Sequence, residues 1–317
     1  MSTVKTLRVA TRPSALAVKQ AQFVIDRLSA AGTGMAFELV KVSTRGDADR
    51  DRSLAQIGGD GVFVKELEIA LQACRADFAV HSMKDMPTDL PVGLRSGVVP
   101  WRADPRDVLL SSENRFKTVR SLPDWSIVGT SSLRRAAELR AIKPNLEVKD
   151  LRGNIDTRIA KMLDGAYHAI VLSLAGVQRL GLRPEVGGGS PIPADEMVPA
   201  VGQGALFIQF REDDETVRAL LEPLNDPASA TAVAMERAFL KRVGGGCAVP
   251  VGAHAVLSGD RWSFNAFAGS TDGKHSLRRH AEGIMHDEAD ALLAVEDIAD
   301  EMLAAGRRWI TPQHPKG

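Results

Sequence analysis

The chain has 317 residues, 44% hydrophobic and 25% charged, with 40 basic and 40 acidic side chains and a formal net charge of +0. Such a length predicts roughly two or three domains and such a composition a globular protein; neutrality and 5% aromatics argue against a general nucleic-acid binder. No stretch approaches the ~20 apolar residues that cross a bilayer. The N-terminus lacks the apolar core and cleavage site of a secretory leader, so a cytosolic protein is expected. Two cysteines, Cys74 and Cys247, with no CxxC or HExxH pattern, predict neither a disulfide framework nor a metal site.

In chain order, Leu7–Thr11 reads as a short buried strand. Pro13 and Ser14 open a helical run with Val18, Ala21, Ile25 and Leu28 on one face, and Gly32 stops it. Phe37–Val42 is the next strand. Val64, Leu67, Leu71 and Cys74 form a second helical stripe, on which Cys74 is expected as a packed core thiol. Asp77–Ser82 is again a strand, and the alternation predicts a sheet with parallel crossovers and ligand loops at strand ends. WRADPRD (101–107) is polar and proline-bearing, as a linker would be. A second α/β set follows: SIVGT into the helix SLRRAAELRAI, EVKDLRG into NIDTRIAKMLDG, and HAIVLSLAG into a short helix ending at Gly181. After a Gly/Pro-rich loop (Glu185–Met197), VGQGALFIQF is one more strand, which completes the second sheet or returns to the first. The last third reads as a helix near Ala228–Val243 with Met235 and Phe239 on one face, two strands around a turn at Gly259–Asp260, a third strand HSLRRHAEG, and a helix over Glu288–Ala305. Strands clustered beside helices predict a small α+β domain.

Several motifs can carry chemistry. Cys247 follows Gly244, Gly245 and Gly246, which leave the sulfur open to a large group, although a flexible turn ahead of a strand explains the triplet equally well. Lys84 and Asp85 directly follow an apolar strand, where α/β sheets place ligands; Lys84 can pair with a carboxylate and Asp85 can act as acid or base, and a charged surface turn is the plainer alternative. Thr130 and Ser132 precede a helix whose first turn carries Arg134 and Arg135. Hydroxyls there cap free N–H groups, and two arginines against the helix dipole point to a bound anion. Arg152, with Arg158 one turn on, and Arg179 repeat the arrangement at further strand ends. A shared anionic site explains the set better than scattered surface charges, because guanidinium groups clamp carboxylates bidentately. The absence of GxxxxGK[ST] favours carboxylates over phosphates, Gly202-Gln203-Gly204 is too weak a nucleotide loop, and Arg45-Gly46-Asp47 reads as a charged turn.

Together ATRPSALA, VSTRGD, GVFVKELE, ADFAVHSMKDMP, DPRD, IVGTSSLRR, LRGNIDTR, VQRLGL, PAVGQGA and GGGCAVPVG resemble the porphobilinogen deaminase (hydroxymethylbilane synthase) family along nearly the whole chain. The resemblance implies a transferase that joins four porphobilinogen molecules head to tail with loss of ammonia, on a dipyrromethane cofactor attached to Cys247. It implies that Lys84, Thr130, Ser132, Arg134, Arg135 and Arg158 hold cofactor carboxylates, that Arg12, Ser14, Arg152 and Arg179 position substrate or growing chain, and that Asp85 is catalytic. The implied fold is α/β: two periplasmic-binding-protein-like lobes flanking a cleft (1–102 with 203–222, and 106–199) plus a smaller α+β C-terminal domain (224–317) presenting the cysteine. By that analogy the late strand returns to the first lobe. Gln56 and Asp60 stand where the family often carries lysines, and His168 where it is often acidic. A two-lobed small-anion binding protein is the rival reading; it leaves Cys247 and the third domain unexplained. A monomer is expected, acting on porphobilinogen with no nucleic-acid or membrane partner.

Overall fold

The computed structural model describes residues 5–48, 61–181, 189–244, 249–270, 272–306 and 309–310. The chain divides into two units, residues 1–103 with 205–230, and 104–204 with 231–317. It begins with β1 (Thr6–Thr11), α1 (Ala15–Ala30), β2 (Ala36–Lys41), a single turn α2 (Arg45–Ala48), α3 (Lys65–Gln72), β3 (Phe78–Ser82) and β4 (Leu94–Val98). Next come β5 (Asp107–Ser111), β6 (Ile127–Gly129), α4 (Leu133–Ile142), β7 (Glu147–Lys149), α5 (Ile155–Leu163), β8 (Ala169–Ser173), α6 (Leu174–Arg179) and the two-residue β9 (Ser190–Pro191). The rest is β10 (Leu206–Arg211), α7 (Glu215–Leu221), α8 (Pro227–Val243), β11 (Val251–Ser258), β12 (Arg261–Gly269), β13 (Ser276–Ile284) and α9 (Glu288–Gly306).

In the first unit a five-stranded sheet runs in the order β2-β1-β3-β10-β4. Alternation along β1 sends Leu7 and Val9 to one face, where Val24 and Leu28 of α1 meet Phe78, Ile208 and Phe210. Ala10 faces the other side, covered by Leu67 and Leu71 of α3. The ends of α1 follow its sequence: the Ser14 hydroxyl accepts from Ala17 N at 3.3 Å, and Gly32, at φ 67°, follows the last turn. The late strand β10 pairs antiparallel with β3 and β4, so the chain does return to the first sheet. The contact is close: a Cβ on Gly97 would lie 1.3 Å from the Ile208 carbonyl oxygen.

The second unit holds a five-stranded sheet, β7-β6-β8-β5-β9, and a three-stranded antiparallel sheet, β11-β12-β13. In the former, β6 runs parallel to β7 and β8, whereas β5 is antiparallel to β8 and β9. Both larger sheets are therefore mixed, not built from parallel crossovers alone. Against the small sheet, Met235 and Phe239 of α8 and Val295, Ala299 and Met302 of α9 bury a common core with Phe264 and Ala266. Phe239 and Phe264 meet edge to face, centroids 5.5 Å apart.

Two expectations are corrected. Cys74 is exposed, not a core thiol: α3 ends at Gln72, and a left-handed φ of 52° at Cys74 turns its side chain off the stripe that Val64, Leu67 and Leu71 occupy. WRADPRD is not wholly a polar connector, because Asp107 is fully buried and begins β5. Among the described residues no helix is long and apolar enough to cross a membrane.

Candidate active site

In the first unit, β1 and β3 are parallel neighbours, which brings their following residues to one edge of the sheet. After β1 come Arg12 and Ser14; after β3 the chain forms a 3-10 turn, Met83–Asp85, with Lys84 exposed and Asp85 half-buried. Gln20 of α1 bonds Ser82 (Nε2 to Oγ, 3.0 Å), tying the helix to the end of β3. Arg12 donates to Asp47 from Nε (3.2 Å) and Nη2 (2.5 Å), and its guanidinium lies 4.0 Å from the centroid of the Phe63 ring. Burial raises the Asp47 carboxyl, but Arg12 and Thr44 outweigh it and hold the group below its ordinary value. Asp47 belongs to Arg45-Gly46-Asp47, so that tripeptide is more than a charged turn. Ser14 spends its hydroxyl on capping α1.

In the second unit the site is built on the carboxyl ends of β6, β7 and β8. Thr130 follows β6, and its Oγ1 accepts from Ser132 N at 3.2 Å. Ser132 caps α4, accepting from Arg135 N at 3.4 Å. Arg134 and Arg135 are buried in the first turn of that helix, and the anion expected there comes from the protein itself. Asp107 accepts from Arg134 Nη2 at 2.7 Å and from Arg135 Nε and Nη2 at 3.0 and 2.8 Å. It can do so because β5 runs antiparallel: Asp107 pairs with Ser173, so the first residue of β5 lies where β8 ends. Burial alone would raise the Asp107 carboxyl, yet Arg134 and Arg135 bring it down to about 2.

Glu138, one turn along α4, is also fully buried. It accepts from Arg134 Nη1 (2.8 Å), Val198 N (2.7 Å) and Arg278 Nη2 (3.2 Å). Burial pushes its carboxyl up to about 7 against the pull of Arg134 and Arg278. Gln203 completes the cluster: Oε1 accepts from Arg135 Nη2 at 3.1 Å while Nε2 donates to Asp107 Oδ1 at 2.8 Å and to Pro105 O at 2.7 Å.

The remaining guanidiniums are held differently. Arg158 donates from Nε to Gly153 O at 2.7 Å, and Arg179 from Nη2 to Gly204 O at 2.7 Å. Burial, reinforced by Arg135 and Arg152, lowers Arg158 to about 10, and burial alone lowers Arg179 to about 10. Both keep their charge at neutral pH. Arg134 Nε is buried with no hydrogen-bond partner among the described residues. Half-buried guanidiniums without a carboxylate partner, such as Arg158 and Arg179, suit a ligand with several carboxylates. Cys247, Gln56 and Asp60 lie outside the described residues. His168 is exposed, and its Nδ1 accepts from Ile127 N at 2.9 Å. Among the described residues no group of three His, Cys, Asp or Glu could hold a metal ion.

Residues 7–219 match the family model described as porphobilinogen deaminase, dipyromethane cofactor binding domain, and residues 230–304 match that of the porphobilinogen deaminase C-terminal domain. The chain belongs to the porphobilinogen deaminase family. A porphobilinogen deaminase from Thiobacillus denitrificans is 45% identical over 310 residues, covering 98% of this chain and 99% of that one. Among solved structures, the VFT2 domain of Bordetella pertussis BvgS is 14% identical, covering 74% of this chain and 91% of that chain at a TM-score of 0.40. A periplasmic sulfonate-binding protein, SsuA from Methylobacillus flagellatus KT, is 12% identical, covering 77% of this chain and 69% of that chain at 0.37. Likeness this distant assigns nothing. Membership sets aside the rival binding-protein reading.

The family's dipyrromethane is a two-ring group bearing acetate and propionate side chains. Arg158, Arg179 and the orphaned Arg134 Nε fit such a group, each lacking a carboxylate partner or a hydrogen bond among the described residues. Residue spacing points to neither Asp107 nor Glu138, and it reads Gln203 as part of a weak nucleotide loop and Asp47 as part of a charged turn, although DPRD, PAVGQGA and VSTRGD contain three of the four.

Proposed function

We propose that this chain condenses porphobilinogen head to tail, four molecules per product, with ammonia leaving at each coupling and hydroxymethylbilane released. Membership of the family supports the reaction. The observation that carries the reading to the residues is the set of buried and half-buried guanidiniums in the second unit, of which Arg158 and Arg179 bond backbone carbonyls and no carboxylate among the described residues. Each porphobilinogen brings two carboxylates, so a lengthening chain needs several such cations.

Dipyrromethane supplies the two-ring primer, and Cys247 is the residue we assign to its thioether. Lys84, Thr130, Ser132, Arg134, Arg135 and Arg158 are assigned to its carboxylates; Arg12, Ser14, Arg152 and Arg179 are assigned to substrate and growing chain. Asp107 and Glu138 already engage much of Arg134 and Arg135, which leaves those guanidiniums fixed in direction, with few N–H groups for a ligand. Asp85 is assigned to the chemistry: its carboxylate faces the cationic carbon left as ammonia departs and takes the proton lost when the new bond forms. We also infer a cytosolic monomer, the compartment supported by a sequence with two cysteines and no disulfide framework, the monomer by a sequence without a heptad seam; light scattering of the purified protein tests the monomer, and a stable dimer mass would overturn it.

The direct test is incubation of the purified protein with porphobilinogen, following ammonia and linear tetrapyrrole. Release of both, from a protein that also reacts with an aldehyde reagent for free pyrroles, is the expected outcome. Reversible binding of porphobilinogen without turnover would return the binding-protein reading.

A further inference from the structure

We propose that Gln203 is a positioning residue for the arginine site, holding the Arg135 guanidinium through its side chain while its neighbour Gly204 holds Arg179 through the backbone. The proposal rests on the reading above, in which Arg135 meets the cofactor and Arg179 the growing chain. Gly202 and Gly204 have φ of 68° and 89°, so the chain reverses around Gln203 and drives its fully buried amide inward. That amide is used from both ends: Oε1 takes Arg135 Nη2, and Nε2 reaches Asp107 Oδ1, the oxygen that also accepts from Arg135. The next peptide unit presents Gly204 O to Arg179 Nη2 at 2.7 Å. One turn therefore fixes two guanidiniums assigned to successive stages of the reaction.

The turn is itself anchored. Gly202 N donates to Glu236 Oε2 at 2.7 Å, and Ala255 N donates to Glu236 Oε1 at 2.9 Å, so a buried carboxylate links it to β11. The amide suits the site between Arg135 and Asp107, because an acceptor must face the cation and a donor must face the carboxylate. A carboxylate at this position would set two negative oxygens against each other, and a thioether would leave both partners short.

Three purified variants test this: Gln203→Met, Gln203→Glu and Arg135→Leu. Each apoprotein is mixed with porphobilinogen, cofactor loading is timed by intact mass, kcat and KM are measured on loaded protein, and folding is checked by circular dichroism and melting. Gln203→Met is expected to fold, to load about 10–100-fold more slowly, the worth of a hydrogen bond to a charged group, and to lose kcat more than KM. Gln203→Glu is expected to recover loading, relative to wild type, as pH falls from about 8 to about 6, because the protonated acid restores the donor. Arg134, Arg135, Arg179, Asp107, Glu138 and Glu236 surround the site in both proteins, and the ratio to wild type corrects for the part of their titration that the two proteins share. Wild-type loading and turnover in Gln203→Met would overturn the proposal. So would a Gln203→Glu defect that ignores pH and merely follows a lowered melting temperature. If Arg135→Leu loads normally, the assignment of Arg135 fails and takes the positioning role with it; if Arg135→Leu stays apo while Gln203→Met behaves as wild type, only the role of Gln203 fails.

Discussion

Asp107 Oδ1 accepts from both Nε and Nη2 of Arg135, at 3.0 and 2.8 Å, so one carboxylate oxygen fixes the edge of one guanidinium. Its partner oxygen takes Arg134 at 2.7 Å. The carboxyl sits at about 2, below an ordinary 3.8, because the two arginines overcome the effect of burial. Its contribution to stability is therefore present above the ordinary value and is lost as pH falls through about 2. Asp107→Asn should unfold more easily at neutral pH by about 3–5 kcal/mol, since two buried cations lose their shared counter-ion. It should also lose less further stability than wild type on acidification below about pH 4. Urea midpoints across that range check both, and parallel acid limbs for the two proteins would contradict the charge assignment.

Asp85 is half-buried at the end of the turn after β3. Asp85→Asn preserves its size and removes its charge. Turnover should fall roughly 10²–10⁴-fold, as expected when a general acid–base group is lost, with the cofactor still attached by intact mass. A rate near wild type would make Asp85 a surface residue.

The two cysteines should behave oppositely. Cys74 is exposed beyond the end of α3, without the glycine surroundings that distinguish Cys247 in the sequence. Native mass should exceed the sequence mass by one dipyrromethane unit, located on the Cys247 peptide by tryptic mapping. Cys74→Ser should keep the adduct and full activity, whereas Cys247→Ser should fold without it and lack normal turnover. An adduct on Cys74 would refute the attachment.

Arg135 and Arg179 separate cofactor from chain growth. Arg135→Leu should remain largely apo. Arg179→Leu should load its cofactor, then form or release enzyme–substrate intermediates slowly when limiting porphobilinogen is added. The reason is local: a clamp matters only while its own carboxylate is present. Equal loading and one common ladder of intermediates in both variants, each relieved alike by salt, would indicate general electrostatics instead.

Much of this architecture is written in short-range pattern. The stripe of α1, the hydroxyl cap of α4 at Ser132 and the three strands of the small sheet follow from periodicity and capping. Strand direction is not local. Asp107 reads as part of a polar connector because nothing in DPRD says that β5 will run antiparallel and deliver its first residue to the end of β8. Asp47 reads as a surface charge because its partner, Arg12, is 35 positions away. Cys74 reads as core because periodicity does not reveal that α3 stops at Gln72. Burial of polar clusters depends on partners remote in sequence, and spacing alone is blind to them.

The place of β10 has a consequence for biogenesis. Leu206 pairs with Ser82, so an interior strand of the first sheet leaves the ribosome long after its neighbours β1, β2 and β3. Until then β3 and β4 each present an open edge where β10 will bind. The first lobe therefore cannot close as the N-terminal segment emerges, and its completion waits for the second sheet's strands to be made. A nascent chain stalled before residue 206 would be a ready client for chaperones that shield exposed strand edges.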